Sequence, residues 1–366
     1  MKLMKWGIYM IDTINLKYRF PNLSHYNECY RVMDDMPAME SDYKCRLHKT
    51  EDKKKHYITT AFYKQGFLDI AFDKDKTHNR YTITLFFKPV IMVRGTCEFN
   101  LSLASEASYD TMEKRFNEFI ERINKQADIP YLLPPLYLWS VNRVDYAYDI
   151  WEDSIKEYIV LFKHGMIPPN FTYHDYPTSF YLTSKECNIN FYDKTQQLRD
   201  KDIEFGNEAY EETGDHLMWG ESILRLEVQC KTRKLSHIKE DFRLPDRTLK
   251  SFWSEKIAYT VLMNYIKKII GKEDVFPYNK CIDKLREKYP KRRTMMSKCI
   301  QILDALKEHP ELSLGDIYAL HPREYKKYVH MMRQAGINPI PLEVTLSEGE
   351  VLYNPYESLE ELLCFL

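Results

Sequence analysis

Three short segments of the sequence place acidic, amide, cationic and phenolic side chains at every second position. In Trp139 to Ile150 (WSVNRVDYAYDI), strand geometry puts Arg143, Asp145, Ala147 and Asp149 on one face and Val144, Tyr146, Tyr148 and Ile150 on the other. In Ile223 to Cys230 (ILRLEVQC), Arg225, Glu227 and Gln229 oppose Leu224, Leu226 and Val228. Ser179 to Thr183 and Asn188 to Tyr192 read as a hairpin around Ser184-Lys185-Glu186, whose second arm sets Asn190, Tyr192 and Lys194 against Ile189, Phe191 and Asp193. If the three segments are neighbours, one sheet face carries Asp145, Asp149, Glu227, Gln229, Tyr192 and Lys194.

Carboxylates and an amide on one face can supply oxygen ligands to a hard divalent cation such as Mg²⁺ or Mn²⁺. Such a cation can neutralise and orient a phosphodiester. A phenol is almost wholly protonated at neutral pH and needs a nearby cation or base to become a nucleophile. Lys194, two residues beyond Tyr192 and on its face, could lower the phenol's pKa or protonate a leaving oxygen. Arg143 and Arg225 could hold phosphate, or could simply neutralise the carboxylates. The same pattern also describes solvated cross-strand ion pairs, and with 28 tyrosines in the chain any one of them is more often packing than catalysis.

The elements that must position these residues alternate between sheet and helix. The first 105 residues read mostly as strands, at Trp6 to Phe20, Tyr57 to Lys64, Phe67 to Phe72 and Arg80 to Lys88. Helical spacing marks Ser108 to Gln126 and Asp153 to His164. After Lys231 the chain turns helical: Leu249 to Ile270 closed by Gly271, then Lys280 to Tyr289, Met295 to His309, and Pro322 to Ala335 closed by Gly336. The expected fold is α+β, an antiparallel sheet with flanking helices over residues 1–235. A helical, basic domain follows at 245–340, and an acidic tail at 341–366.

Net charge is −1 over the 366 residues, but it is unevenly spread. Lys231 to Arg333 carries about +11, and the tail after Arg333 about −6 with no Lys or Arg. A basic third suggests a polyanion-facing module, although a solvated helical surface would look the same. The eight cysteines form no C-x-x-C pair and fit reduced thiols in a cytoplasm better than a disulfide framework or a zinc site. No histidine pair has metal-ligand spacing; His164, His174 and His216 each read as structural. There is no phosphate-binding glycine loop and no G-x-S-x-G. No apolar run is long enough for a membrane span, so no membrane partner is expected.

Four segments, in order, resemble the rolling-circle replication initiators of phages and plasmids, including the filamentous-phage replication endonuclease and Gram-positive plasmid initiators. They are Met10 to Tyr18 (MIDTINLKY), Asn142 to Asp149 (NRVDYAYD), Ser179 to Gln197 (SFYLTSKECNINFYDKTQQ) and Leu224 to Lys231 (LRLEVQCK). The likeness covers about the first 230 residues, with Phe191-Tyr192-Asp193-Lys194 as its core.

The resemblance implies a Rep nuclease-like sheet and Tyr192 as the nucleophile. It implies Asp145 and Glu227 as metal ligands, with Asp149 and Gln229 as weaker carry-overs. It implies DNA as substrate, both the origin duplex and a single-stranded nick site, with a host helicase and polymerase as partners and a homodimer as one state. Lys291, Arg292, Arg293, Lys326, Lys327 and Arg333 are the expected duplex-binding cations, with a helix-turn-helix at Leu312 to Ala335 as one way to present them. Conjugative relaxases share this chemistry, and a DNA-binding protein without activity or a water-using phosphoesterase are further readings. A second tyrosine, Tyr181 or Tyr176, is left open as a participant.

Overall fold

The computed structural model describes residues 10–40, 55–59, 62, 65–95, 103–197, 223–320, 322–345, 349–357 and 360. Nine strands form one antiparallel sheet: β1 (Ile11–Arg19), β2 (Lys55–Thr59), β3 (Phe67–Asp75), β4 (Arg80–Phe87), β5 (Ser140–Trp151), β6 (Thr172–Tyr176), β7 (Ser179–Thr183), β8 (Cys187–Asp193) and β9 (Ile223–Lys231). Their order is β2-β3-β4-β1-β5-β9-β8-β7-β6. The α+β class with an antiparallel sheet and flanking helices is therefore observed. The last strand in sequence, β9, is inserted between β5 and β8, so the three alternating segments lie side by side.

Alternation gives the sheet two different faces. The apolar face carries Val144, Tyr146, Leu224, Leu226, Val228, Ile189 and Phe191, all buried. Helices cover it. α1 (Leu23–Glu40) brings Tyr26 edge-on to Phe72. The short α2 (Pro89–Arg94) lies beside α3 (Tyr109–Gln126), which packs Phe116 and Phe119 on Phe67. α4 (Ile155–Lys163) sets Phe162 on Phe180 and Phe191. α5 (Thr232–Asp241), α6 (Leu249–Phe252) and α7 (Glu255–Ile269) lie against β5, and α5 and α7 also touch β9. The Tyr146 hydroxyl donates to the Phe252 carbonyl at 2.7 Å, one bond that ties this helical segment to the sheet.

Beyond these come α8 (Tyr278–Lys288), α9 (Arg293–Glu308), α10 (Leu314–Leu320) and α11 (Pro322–Gln334). Their buried side chains, such as Leu285, Leu303 and Met332, belong to one hydrophobic cluster that also includes the strands. Gly271 and Gly336 both take positive φ, the left-handed conformation that lets a helix end without a Cβ clash. α10 ends at Leu320 and α11 begins at Pro322, with His321 outside the described residues.

The structure differs from sequence expectation at four helices and a strand. α1 occupies part of the supposed β-rich region: Asn22 accepts from the His25 amide at 3.0 Å and starts a turn whose Tyr26, Cys29, Met33 and Met36 repeat at helical spacing. The expected helix from Leu249 to Ile270 is broken at Trp253-Ser254, because the chain turns where Trp253 packs edge-on to Tyr109. α2, α5 and β6 were not anticipated; each is short and carries little periodic signal. Among the described residues no helix is long and apolar enough to cross a membrane. Cys29, Cys187, Cys230, Cys281 and Cys299 are free, buried thiols; Cys45, Cys97 and Cys364 lie outside the described residues.

Candidate functional site

The polar face is built by register. Asp145 sits opposite Gln229, Ala147 opposite Glu227, and Asp149 opposite Arg225. Across the other side of β9, Gln229 faces Asn188, Glu227 faces Asn190 and Arg225 faces Tyr192. Ala147, the smallest side chain of the set, lies between Asp145 and Asp149 along β5 and opposite Glu227. From β1 a fourth acid joins them, because the register shifts between Ile11 and Ile14 and the Asp12 carboxylate reaches Arg225 at 2.7 Å.

Tyr192 and Glu227 meet directly. The phenol is 5% exposed and donates to Glu227 Oε2 at 3.0 Å. Glu227 Oε1 accepts from Gln229 Nε2 at 2.8 Å, and Gln229 in turn accepts from Asn188 at 3.0 Å. This chain fixes the carboxylate so that one oxygen is aimed at the phenol. Burial, then the negative charge of Glu227, pushes the Tyr192 pKa well above the ordinary phenol value, with Arg225 pulling the other way. At rest the phenol is therefore neutral, and its proton already points at an acceptor.

Asp145 is 1% exposed and takes two bonds from Arg143, at 2.6 and 2.5 Å. Even so, burial together with the charges of Glu227 and Asp12 outweighs the guanidinium and pushes its carboxyl up to about 8. The opposite holds for Asp12. There Lys88, at 3.5 Å, and Arg225 outweigh burial and hold the carboxyl well below the usual range. Two buried acids on one face are thus shifted in opposite directions, Asp145 up by burial and Asp12 down by its cations.

Arg225 is fully buried. It donates twice to Asp149, both at 2.6 Å, and once to Asp12. Of the two roles the sequence allowed, it therefore takes that of neutralising carboxylates, and the expectation of a DNA-facing Arg225 is corrected by its enclosure. For the same reason Asp149 is turned from the acid pair; both its oxygens are held by Arg225. Arg143 keeps 27% of its side chain exposed and joins Asp145 to the surface. Lys194 is buried, donates to Gln197 at 2.8 Å and lies 5.8 Å from the centroid of the Tyr192 ring. The cation that opposes the raised phenol pKa is Arg225.

Among the described residues no group of three or more His, Cys, Asp and Glu side chains is arranged to hold a metal ion. The donor chemistry nonetheless fits a hard cation. Asp145 and Glu227 supply carboxylate oxygens, and their mutual repulsion is what a divalent charge would relieve. Two amide oxygens on this face, Asn190 Oδ1 directly across from Glu227 and Asn15 Oδ1 beside Arg143, are buried without a hydrogen-bond partner. Buried unpaired acceptors are uncommon and point to an absent ion or water. Asp12, Asn15, Lys88 and Asn190 were not assigned roles from sequence. A charged residue inside the apolar run of β1 was the available signal for Asp12.

The three histidines singled out from sequence fall as follows. His164 bonds the Val160 and Pro310 carbonyls, and His174 shares a bond with Thr183; His216 lies outside the described residues. The basic cluster is on the C-terminal helices. Lys291, Arg292 and Arg293 are exposed at the junction of α8 and α9, and Lys326 and Lys327 are exposed on α11. Arg333 is half-buried beside Glu273 at 3.7 Å, a more internal placement than a duplex contact needs. Neither family models nor curated proteins returned a match to the chain.

Proposed function

We propose that the protein nicks and rejoins one DNA strand through Tyr192, as a rolling-circle replication initiator does, on a Rep nuclease-like sheet. The observation that carries this reading is the Tyr192–Glu227 hydrogen bond, formed across β8 and β9 on the face that also holds Asp145. A phenol bonded to a fixed carboxylate, with a second acid beside it, is an arrangement suited to phosphoryl transfer.

The phenol oxygen of Tyr192 attacks phosphorus in line, and its proton passes to Glu227. The bond from phosphorus to the 3′-oxygen breaks, leaving a 5′-phosphotyrosine and a 3′-hydroxyl that a host polymerase can extend. Lys194 supplies the proton to the departing oxygen. The phosphotyrosine keeps the ester linkage, so rejoining needs no nucleotide cofactor. Asp145 and Glu227, with the Asn190 amide oxygen, would hold Mg²⁺ or Mn²⁺, which when bound neutralises phosphate charge. Arg143 lies at the rim for the same phosphate. The exposed cations at 291–293 and 326–327 hold origin duplex by charge, giving salt-dependent affinity rather than sequence choice.

Supercoiled plasmid carrying the origin, incubated with Mg²⁺ or Mn²⁺, tests the reading. Wild type should give nicked circles and a covalent adduct that mass spectrometry maps to Tyr192, and Tyr192→Phe should give neither. Nicking that survives the substitution overturns it.

A second reading, a DNA-binding protein without activity, draws on the enclosure of Tyr192, which is 5% exposed. It expects origin binding with no adduct. A conjugative relaxase would show the same adduct as the initiator but act at a transfer origin.

A further inference from the structure

The acid-phenol centre does not end the polar face. On β6 and β7 that face changes from carboxylates to rings and hydroxyls. Register places Tyr176 opposite Ser179, and Ser179 opposite Tyr192; His174 lies opposite Tyr181, and Tyr181 opposite Asn190. Thr172, Thr183 and Asn188 complete the row. None of these side chains is acidic, whereas Asp175, the acid of β6, belongs to the opposite face and is paired with Lys163 at 2.9 Å.

Three of these residues form a ring cluster. The His174 and Tyr181 rings are 5.4 Å apart between centroids, and Tyr176 and Tyr181 are 6.0 Å apart. Tyr176 is 50% exposed, and Tyr181 and His174 are half-buried. The His174 imidazole is anchored to the Thr183 hydroxyl at 2.8 Å. The ledge is thus pre-set rather than formed by loose side chains. Two strand spacings, about 10 Å, separate β6 from β8. The Tyr181 hydroxyl is within electrostatic reach of both Arg143 and Glu227, so the rings and the acid-phenol centre share one surface.

A cluster of three rings on one sheet edge, next to the acid-phenol centre, offers a continuous π-surface of the kind that binds flat ligands. We propose that His174, Tyr176 and Tyr181 form a stacking ledge for unpaired bases of the DNA strand that enters the Tyr192 centre. This rests on the reading of the chain as acting on DNA. The ledge suits bases rather than phosphates: it offers π-faces and hydroxyls, carries no acid that would repel the strand, and leads directly to the site where phosphate chemistry is proposed. Stacking of this kind tolerates any base, which separates strand holding from origin choice.

The test is binding of a fluorescein-labelled oligothymidylate, followed by anisotropy in EDTA so that no strand is cut. Tyr176→Ala and Tyr181→Ala should each weaken binding by about tenfold. Tyr176→Phe and Tyr181→Phe should stay within about twofold of wild type, because the ring is kept. Tyr131→Ala, at a ring 91% exposed elsewhere in the chain, should change nothing. Circular dichroism and the melting temperature of each variant establish folding.

The inference is overturned if the folded alanine variants bind as wild type does, or if wild type does not bind the oligonucleotide. It is equally overturned if sedimentation shows that the alanine variants lose a dimer while affinity holds, since the ledge would then be a contact between copies. A ring-dependent affinity without any Tyr192 adduct would uphold the ledge and sink the nicking reaction, so the two failures are distinguishable.

Discussion

Arg225 offers the sharpest test of how the polar face is held together. Its guanidinium is fully buried, makes two bonds of 2.6 Å to Asp149 and one of 2.7 Å to Asp12, and is the strongest link between β9, β5 and β1 on that face. Arg225→Met keeps most of the stem and removes the charge. Two acids are then left enclosed, with Lys88 and Lys194 the remaining cations acting on Asp12. Breaking a buried pair by removing one partner costs about 3–5 kcal/mol. For a chain of this length the unfolding entropy is about 0.8 kcal/mol/K, so the midpoint should fall by about 4–6 °C.

The loss should also depend on pH. In the native protein Asp12 is held below its unfolded value, so its stabilisation is present at neutral pH and fades only in strong acid. In the variant the enclosed acids take up protons more readily than in the unfolded chain, so lowering the pH from 7 towards 4.5 stabilises the variant relative to wild type. The deficit should narrow over that range. Adding Asp12→Asn and Asp149→Asn should restore part of it at pH 7, because the enclosed acids are then neutral while buried Lys88 loses its partner. Thermal melts at pH 7 and 4.5 read all three outcomes. A deficit that is the same at both pH values and survives the two asparagines would mean that lost packing, not unpaired charge, explains the change.

Other expectations follow from the same geometry. Glu227→Gln should slow adduct formation by about 10²–10⁴-fold, because the acceptor of the phenol proton is gone; an unchanged rate would assign the base elsewhere. Asp145, pushed up to about 8, binds a proton in the folded state that the unfolded chain releases near pH 4, so it costs stability as pH rises from about 4 to 8. Wild type compared with Asp145→Asn in melts across that range should show the asparagine variant gaining relative stability towards alkaline pH, and a flat difference would refute the shift. Replacing Lys291, Arg292 and Arg293 together by alanine should leave the melting temperature alone and lower the salt slope of duplex binding by about 2–3, measured by anisotropy at several salt concentrations.

Alternation in WSVNRVDYAYDI, NINFYDK and ILRLEVQC assigned each residue to a face, and the chain itself therefore determined that Asp145, Glu227, Gln229, Tyr192 and Lys194 could share one. The glycine stops at Gly271 and Gly336 were readable for the same local reason. Only the tertiary structure decided that β9 enters between β5 and β8, since strand order depends on contacts remote in sequence. That order aimed the Tyr192 hydroxyl at Glu227, and it drew Asp149 and Arg225 into a pair with Asp12 instead of leaving them for ligand and phosphate. It also shifted the Asp12 and Asp145 carboxyls in opposite directions, because a carboxyl's pKa follows the cations and the burial around it, and periodicity encodes neither.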